Sequence, residues 1–205
     1  IRAHNAHKKG SFKEYHVAVE HENGFLKTDE GIRPNSSIES LSTLKPVFDE
    51  NGVVTAGNAS QISDGAAACL VMSRRKAEQL ELTPLATVTG YCATGVDSVD
   101  VMSAPIPTVQ KLWKMNNREG EKDYDLYEHN EAFASASLGV MQGLHLKHEK
   151  LNVNGGAVAM GHPLGASGCR IVLALIHALR QSGGKRGFAT ACLGGGMATA
   201  IELEI

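Results

Sequence analysis

Strand-like and helix-like hydrophobic patterns alternate along the second half of the chain, from Leu85 to Ile205. Short apolar runs predict strands at residues 85–92, 124–128, 151–154, 186–192 and 197–205. Apolar positions at helical spacing predict helices near residues 105–115, 131–144 and 166–180. Strands that alternate with helices favour an α/β fold, in which helices cover a mixed, mainly parallel sheet. We therefore expect residues 85–205 to form one domain.

Residues 1–62 show weaker patterns that predict two small units. Alternating apolar positions between Tyr15 and Val19, followed by Asn23-Gly24, predict a β-hairpin. The segment Ser36-Ser37-Ile38-Glu39 fits a capping box, which opens a short helix that Pro46 ends. The irregular sequence around these units is typical of a loop-rich excursion and not of a core.

A third segment, residues 63–84, predicts a strand and a helix that have no sheet of their own. The apolar run at residues 66–72 predicts a buried strand, and Ser73 predicts the N-cap of a charged helix that continues to Leu82. The chain also begins with Ile1, in a stretch that resembles the middle of a helix. We therefore expect a piece of a longer protein, whose other part supplies the neighbouring strands.

The composition argues against several classes of function. The 205 residues include 20 Lys and Arg against 22 Asp and Glu, and the formal net charge of −2 does not favour nucleic-acid or anionic-membrane binding. No apolar run reaches the roughly 20 residues that a membrane-spanning helix needs, and we expect no signal peptide. The four cysteines are too far apart for a CxxC pair, so we expect reduced thiols in a cytoplasmic protein.

Three polar residues follow predicted strands or lie in the glycine-rich part of the chain. Asn130, His162 and Cys192 each come after an apolar strand. Because ligands of open α/β sheets bind at the carboxyl ends of strands, we expect the three side chains to converge on one site. A cysteine beside a histidine predicts thiolate chemistry, since a thiol of ordinary pKa, about 8.5, needs an imidazole or a backbone dipole to ionise near neutral pH.

The glycines that follow Cys192 extend this hypothesis. Gly194, Gly195 and Gly196 lack Cβ atoms, so backbone N–H groups can approach a substrate oxygen and form an oxyanion hole. Each feature also has a structural interpretation. Cys192 fits a small buried hydrophobe, His162 a turn cap, the glycines a hairpin, and Asn130 the N-cap of the helix predicted at residues 131–144. The combination favours the functional interpretation.

Four segments resemble signature segments of the thiolases, which comprise acetyl-CoA acetyltransferases and 3-ketoacyl-CoA thiolases. They are HNEAF at residues 129–133, NVNGGAVAMGHPLGASG at 152–168, CLGGGM at 192–197, and TAGNAS at 55–60 followed by SDGAA at 63–67. The resemblance implies a five-layered α/β/α/β/α fold with two related halves and a loop domain. In this scheme residues 1–62 are part of the loop domain that binds coenzyme A, residues 63–84 end the N-terminal half, and residues 85–205 are the C-terminal domain.

The resemblance also implies a Claisen condensation or its reverse, thiolysis, through an acyl-cysteine. Cys192 would be the general base that removes an α-proton from the second acyl-CoA. His162 would activate the nucleophilic cysteine and donate a hydrogen bond to the thioester oxygen. Asn130 would hold a water molecule that donates the companion bond, and the Gly194 N–H would face the oxygen of the acyl-enzyme. No metal or cofactor is implied beyond coenzyme A thioesters as substrates.

The family's coenzyme A contacts fall at a further set of positions. The resemblance places the pantetheine contacts at Phe48, Ala56, Gly57, Ser60, Ile62, Met102 and Phe133, and a nucleotide contact at Arg33. For Phe48, Met102 and Phe133, ordinary core packing is the alternative interpretation.

The sequence also departs from the family's pattern. Cys69, Cys92 and Cys169 do not match the motif of the nucleophilic cysteine, and Cys69 and Cys169 are interpreted as packing residues. We therefore expect a C-terminal portion that lacks the half with the nucleophile and is inactive alone. The complete protein is expected to be a homodimer or homotetramer that converts two acetyl-CoA to acetoacetyl-CoA and CoA. The alternatives are a ketoacyl-synthase-like condensing enzyme and a non-catalytic coenzyme A-binding remnant.

Overall fold

The computed structural model describes all 205 residues as helices and strands joined by loops. The helices are α1 (Arg2–Lys9), α2 (Ile38–Ser42), α3 (Arg74–Gln79), α4 (Pro105–Met115), α5 (Ala134–Gly143), α6 (Ala157–Met160) and α7 (Leu164–Ser182). The strands are β1 (Val19–His21), β2 (Gly24–Leu26), β3 (Thr87–Gly95), β4 (Leu126–His129), β5 (Arg186–Leu193) and β6 (Met197–Glu204). None of the helices combines the length and the apolar character that crossing a bilayer requires.

The C-terminal part of the chain is organised by a four-stranded sheet of order β3-β6-β5-β4. Only β4 and β5 are parallel, whereas β6 is antiparallel to both β5 and β3. The sheet is therefore mixed, and the prediction that it is mainly parallel is wrong. The reason is the three-glycine connection between β5 and β6, in which Gly195 and Gly196 have φ of 81° and 85°. Such a short connection makes a hairpin, and hairpin strands must run antiparallel.

Helices cover both faces of this sheet. The first core cluster packs α4 and α5 against the face that carries Tyr127 and Phe188. On the opposite face, Ile171, Leu175 and Leu179 of α7 pack against Ala189 and Leu203. The layered α/β arrangement predicted for residues 85–205 is confirmed, because each helix buries its apolar stripe on the sheet.

The predicted small units of the first 62 residues are present with shifted bounds. Strands β1 and β2 form the predicted antiparallel hairpin, in which His21 pairs with Gly24. Helix α2 has Ser37 as its N-cap, and Ser40 rather than Glu39 completes the capping box. Both units rest on local hydrogen bonds, which explains why local patterns identify them.

The segment at residues 63–84 contains the predicted helix but not the predicted strand. Helix α3 begins after Ser73, whose side chain accepts the Lys76 N–H as expected. Residues 66–72 form no strand, and Leu70 and Val71 are 80% and 78% exposed. A strand needs a neighbour to satisfy its backbone groups, and no strand of this chain pairs with the segment. Cys69 is likewise exposed in this chain.

The predicted strand at residues 151–154 is instead a loop that is held against the end of β4. Only Leu151 makes a bridge, to Tyr127. Asn152 then turns the chain with φ of 47°. Its side-chain Oδ1 accepts the His129 N–H at 2.9 Å, and its Nδ2 donates to the His129 carbonyl at 3.0 Å. The amide thus completes the β4 edge as a neighbouring backbone would, which ties the glycine-rich loop to this edge of the sheet.

Candidate active site

The candidate site lies at the carboxyl ends of β4 and β5. The parallel register pairs His129 with Thr190. Asn130 comes next, and its N–H donates to the Thr190 carbonyl at 2.9 Å. Cys192 is two residues further along β5 and half-buried, and Gly194 is exposed in the turn that follows. The Asn130, Cys192 and Gly194 positions therefore share one edge of the sheet.

The glycine-rich loop brings His162 to the same edge. His162 Nε2 lies 3.2 Å from the side-chain Nδ2 of Asn130, although 32 residues separate them in the sequence. The His162 N–H donates to the Gln61 carbonyl at 3.1 Å, which anchors the loop from a third segment. The imidazole and the carboxamide are in direct contact in the structure, and the β5 strand end that carries the thiol lies beside them.

Burial keeps both candidate catalytic side chains uncharged at rest. Burial lowers the pKa of His162 below its usual value, and the positive charge of Arg170 lowers it further. Burial raises the pKa of the Cys192 thiol above its usual value. At neutral pH the site therefore contains a neutral imidazole and a protonated thiol. Each can exchange a proton with a substrate or with another thiol.

Asn130 has a polar atom without a partner. The residue is buried, its Nδ2 is taken by His162, and its Oδ1 makes no hydrogen bond. A buried acceptor without a partner costs free energy unless a donor reaches it, and water is the usual donor. The helix predicted from residue 131 begins at Ala134 with Phe133 as its N-cap, so Asn130 does not cap it. The side chain of Asn130 is therefore available to a ligand or a water molecule.

Glu131 and Gln61 hold the loop that carries His162, and sequence reasoning did not single them out. Glu131 Oε2 accepts the Val158 N–H at 3.0 Å, at the start of the short helix α6. Gln61 Nε2 donates to the Ala159 carbonyl at 2.9 Å. Glu131 lies inside the segment at residues 129–133, whereas Gln61 lies between the two parts of the segment at 55–60 and 63–67, so the only signal for either was its place in or beside a motif. Their roles depend on contacts between distant segments.

Gly161 determines how the chain passes from α6 to His162. Its φ of 92° and ψ of 166° lie in a region that is essentially restricted to glycine. An added Cβ would also lie 2.1 Å from Ser63 Oγ. We expect Gly161→Ala to lower the free energy of unfolding by about 1–3 kcal/mol. Urea denaturation of the variant and the wild type measures the difference.

Gly165, four residues after Gly161, provides a matched control. Gly165 is exposed within α7, and an added Cβ would meet nothing within 4 Å. Gly165→Ala is therefore expected to be neutral or stabilising by up to about 1 kcal/mol, because alanine favours the helix. Equal stability losses in both variants would contradict the assignment of strain and steric conflict to Gly161.

The predicted coenzyme A contacts lie in part around the start of α5. Ser60 donates its N–H to the Ala132 carbonyl at 2.8 Å, and Ala59 bridges to Phe133. The rings of Phe48 and Phe133 lie edge to face, with centroids 6.3 Å apart. Phe48 is 75% exposed, which does not fit the alternative of core packing. These contacts form an exposed apolar wall beside the candidate site.

The remaining predicted contacts are less closely connected. Gly57 packs against Leu41 and Leu44, where a Cβ would approach them to 2.5 and 2.7 Å. Ala56 and Ile62 are exposed near this loop. Arg33 and Met102 are also exposed, and their side chains make no hydrogen bond to the other predicted residues.

An apolar groove elsewhere in the molecule is separate from this site. It has a volume of about 480 Å³ and is lined by side chains of β3, β5, β6 and α7, including Tyr91, Ile171 and Ile201. Its lining includes neither His162 nor Cys192, and it contains no charged side chain. The groove contains no imidazole or carboxamide, whereas the strand-end site brings an imidazole into contact with a carboxamide beside the strand end that carries Cys192.

Sequence models of known protein families match almost the whole chain. The model described as thiolase, N-terminal domain, matches residues 1–75, and the model described as thiolase, C-terminal domain, matches residues 82–205. An acetyl-CoA acetyltransferase of Cupriavidus necator is 44% identical over 99% of this chain. A 3-ketoacyl-CoA thiolase of Marinobacter nauticus is 45% identical over 98% of it.

Two solved structures with the same fold have names similar to those of these two relatives. The human mitochondrial 3-ketoacyl-CoA thiolase in complex with CoA superimposes with a TM-score of 0.92 at 39% identity. The acetyl-CoA acetyltransferase of Bacillus anthracis superimposes with a TM-score of 0.94, also at 39% identity. In both comparisons 99% of this chain is covered, against 51% and 52% of the other chain.

The family matches correct one expectation about domain content. The N-terminal domain is represented at residues 1–75, so the prediction that the chain consists of the C-terminal portion only is wrong. The chain spans about half the length of the relatives that it matches, covering 53% and 54% of the two described above.

Proposed function

Because the chain belongs to the thiolase family, we propose that it is part of an enzyme that joins or cleaves acyl groups on coenzyme A. In this proposal the chain contributes the general base Cys192, together with His162 and Asn130. The observation that carries the proposal is the 3.2 Å contact between His162 and Asn130 at the strand edge that includes Cys192. The names of the relatives support coenzyme A thioesters as the substrate class.

The proposed reaction is the condensation of two acetyl-CoA molecules to acetoacetyl-CoA and CoA, or its reverse. A cysteine first takes the acetyl group from one acetyl-CoA. Cys192, as the thiolate, then removes a proton from the methyl carbon of the second acetyl-CoA, and the resulting carbanion attacks the acyl-cysteine. General acid–base catalysis of this kind typically contributes about 10²–10⁴ in rate. Cys192 becomes this thiolate in the first step, when its neutral resting thiol gives its proton to the CoA sulfur that leaves. In the last step the attacked acyl-cysteine leaves as a thiolate and takes a proton back from the His162 imidazolium.

The other three residues stabilise negative charge on oxygen. His162 and a water molecule on Asn130 would bond to the thioester oxygen as the enolate forms. The Gly194 N–H would face the oxygen of the acyl-enzyme. The unpartnered Asn130 Oδ1 supports this assignment, because it is an acceptor that can hold such a water. Each preorganised donor of this type can contribute about 10²–10³ in rate.

We also propose a binding role for the exposed wall beside the site. Residues 1–62 would belong to the loop domain that covers coenzyme A, with the pantetheine passing Phe48, Ser60 and Phe133. Arg33 would approach the nucleotide end. The edge-to-face contact of Phe48 with Phe133 supports this path, because the exposed Phe48 ring and the half-buried Phe133 ring offer an apolar surface to the pantetheine.

The nucleophilic cysteine of the first step is proposed to lie outside these 205 residues. Cys69, Cys92 and Cys169 do not match its motif, and the Cys92 Sγ is engaged with the Thr108 carbonyl at 3.3 Å. The complete protein is proposed to be a homodimer or homotetramer in the cytoplasm. The free state of all four cysteines supports a reducing compartment.

Acyl-transfer assays test this proposal directly. The natural polypeptide that carries these residues is expected to cleave acetoacetyl-CoA with free CoA, whereas the purified 205-residue chain is expected to show no transfer, because it lacks the acceptor thiol. Circular dichroism of the 205-residue chain controls for loss of folding. Transfer by that chain alone would refute the proposed location of the nucleophile.

The same assays separate the alternatives. Activity with acyl-carrier protein but not with CoA would indicate a ketoacyl-synthase-like condensing enzyme. Coenzyme A binding without turnover in the natural polypeptide would indicate a non-catalytic remnant.

A further inference from the structure

Ser167 places a buried hydroxyl against the candidate catalytic histidine. The residue lies in the first turn of α7 and is 3% exposed. Its Oγ lies 2.6 Å from His162 Nδ1 and 3.0 Å from the carbonyl oxygen of Pro163, four residues earlier. Ser167 therefore bridges the ring of His162 and the backbone that follows it.

Counting protons determines the direction of both bonds. A serine hydroxyl has one proton to donate, and a carbonyl oxygen can only accept. The Ser167 hydroxyl therefore donates to the Pro163 carbonyl, and its oxygen accepts the N–H of His162 Nδ1. In a neutral imidazole this places the single ring proton on Nδ1 and leaves a lone pair on Nε2.

The other side of the ring agrees with this assignment. Asn130 Nδ2 lies 3.2 Å from His162 Nε2, and an amide nitrogen can only donate. Nε2 must then be the acceptor. Burial and the nearby charge of Arg170 both lower the pKa of His162, so the neutral ring is the form present at neutral pH.

We propose that Ser167 is a positioning residue, which holds His162 in the tautomer protonated at Nδ1 and directs the Nε2 lone pair into the site. Helix α7 buries Ser167 and thereby limits the rotation of its hydroxyl. The ring is consequently held from Nδ1 by Ser167 and from Nε2 by Asn130.

This role has a chemical consequence that rests on the proposed function. When a nucleophilic thiol replaces Asn130 Nδ2 as the donor to Nε2, the Nε2 lone pair of His162 can accept the proton of that thiol. In that step the S–H bond breaks and an N–H bond forms, leaving a thiolate and an imidazolium. The new Nε2–H can then donate to the thioester oxygen. A ring protonated at Nε2 at the outset would be unable to accept the proton there.

Nuclear magnetic resonance of the histidine ring nitrogens tests the assignment without an activity assay. The protein is labelled at its histidine ring nitrogens, and His162 is assigned by the loss of its signals in His162→Asn. We expect wild-type His162 to show the tautomer protonated at Nδ1. Ser167→Ala should give a mixture of both tautomers. Ser167→Thr should retain the wild-type tautomer, because a threonine hydroxyl in a helix also bonds to the carbonyl four residues earlier.

The activity of the natural polypeptide provides a second measurement. Ser167→Ala is expected to lower kcat about 10–100-fold with little change in KM for acetyl-CoA, and Ser167→Thr to restore most of the loss. An Nε2-protonated ring in the wild type, or an unchanged tautomer in Ser167→Ala, would overturn the proposal. If the polypeptide catalysed no acyl transfer, the proposed function would fail, whereas the nitrogen spectra would still decide the role of Ser167.

Discussion

Replacing Cys192 with alanine is expected to lower the rates of acetoacetyl-CoA formation and thiolysis by about 10²–10⁴ in the natural polypeptide. In the proposed mechanism Cys192 is the base that removes the α-proton of the second acyl-CoA. Alanine removes the proton acceptor and leaves the strand backbone intact, since Cys192 lies within the regular β5–β6 pairing. Steady-state rates in both directions measure the effect.

Cys92→Ala is the matched control for this variant. Cys92 is also a half-buried cysteine in the same sheet, on β3. Its thiol bonds to the Thr108 carbonyl and has no place in the proposed chemistry. The control should retain the wild-type rate within a few-fold. Normal rates in Cys192→Ala would show that another group is the base.

The largest expected effect on stability is that of Glu202→Ala, which should lower the free energy of unfolding by about 3–5 kcal/mol. Glu202 lies on β6 and is 0% exposed. Its carboxylate accepts from Arg118 Nη2 at 2.6 Å, the Tyr124 hydroxyl at 2.5 Å and the Thr89 hydroxyl at 2.8 Å. Alanine would leave a guanidinium and two hydroxyls without their acceptor.

The same carboxylate predicts a dependence of stability on pH. Burial alone would raise the pKa of Glu202, but the hydrogen bonds from Arg118, Tyr124 and Thr89 outweigh it and lower the pKa to about 2. Because the folded pKa is below the ordinary 4.5, the carboxylate contributes its full stability above pH 4.5. That contribution is lost as the pH falls toward 2. As the pH falls from 4.5 toward 2, the free energy of unfolding of the wild type should therefore decrease more than that of Glu202→Ala.

Glu204→Ala provides the comparison, two residues further along the same strand. Glu204 pairs with Arg186 at 2.5 Å, but its side chain is 38% exposed. Exposed ion pairs contribute about 0–1 kcal/mol, so this variant should be nearly neutral. Urea denaturation between pH 7 and pH 2.5 measures all three proteins. If Glu202→Ala lowered the free energy of unfolding as little as Glu204→Ala does, the buried network would not stabilise the fold.

Several elements could be predicted because their signals are local. The bounds of α4 agree with the predicted residues 105–115, and β5 and β6 agree within one residue with their predictions. Ser73 caps α3 as its position before a charged helix indicates. Caps, turns and helical periodicity depend on residues within about one turn of each other, so the amino-acid order is sufficient to identify them.

Strand pairing was not predictable in the same way. The apolar run at residues 66–72 has the composition of a buried strand but no partner, and it remains exposed. The run at residues 151–154 turns at Asn152, whose amide replaces a strand neighbour at His129. The choice of neighbour and direction is made by contacts between distant segments, which single-segment patterns do not contain.

The sequence by itself determined the family of this protein: its motifs identified the family and supplied a thiol, an imidazole and a carboxamide as candidate site groups. Only the tertiary structure decided how the imidazole and the carboxamide meet. It brought Asn130 to His162, set Ser167 against Nδ1, and held the loop through Glu131 and Gln61. The physical reason is that hydrogen-bond partners are chosen within about 3 Å in space, and most of these partners lie tens of residues apart along the chain.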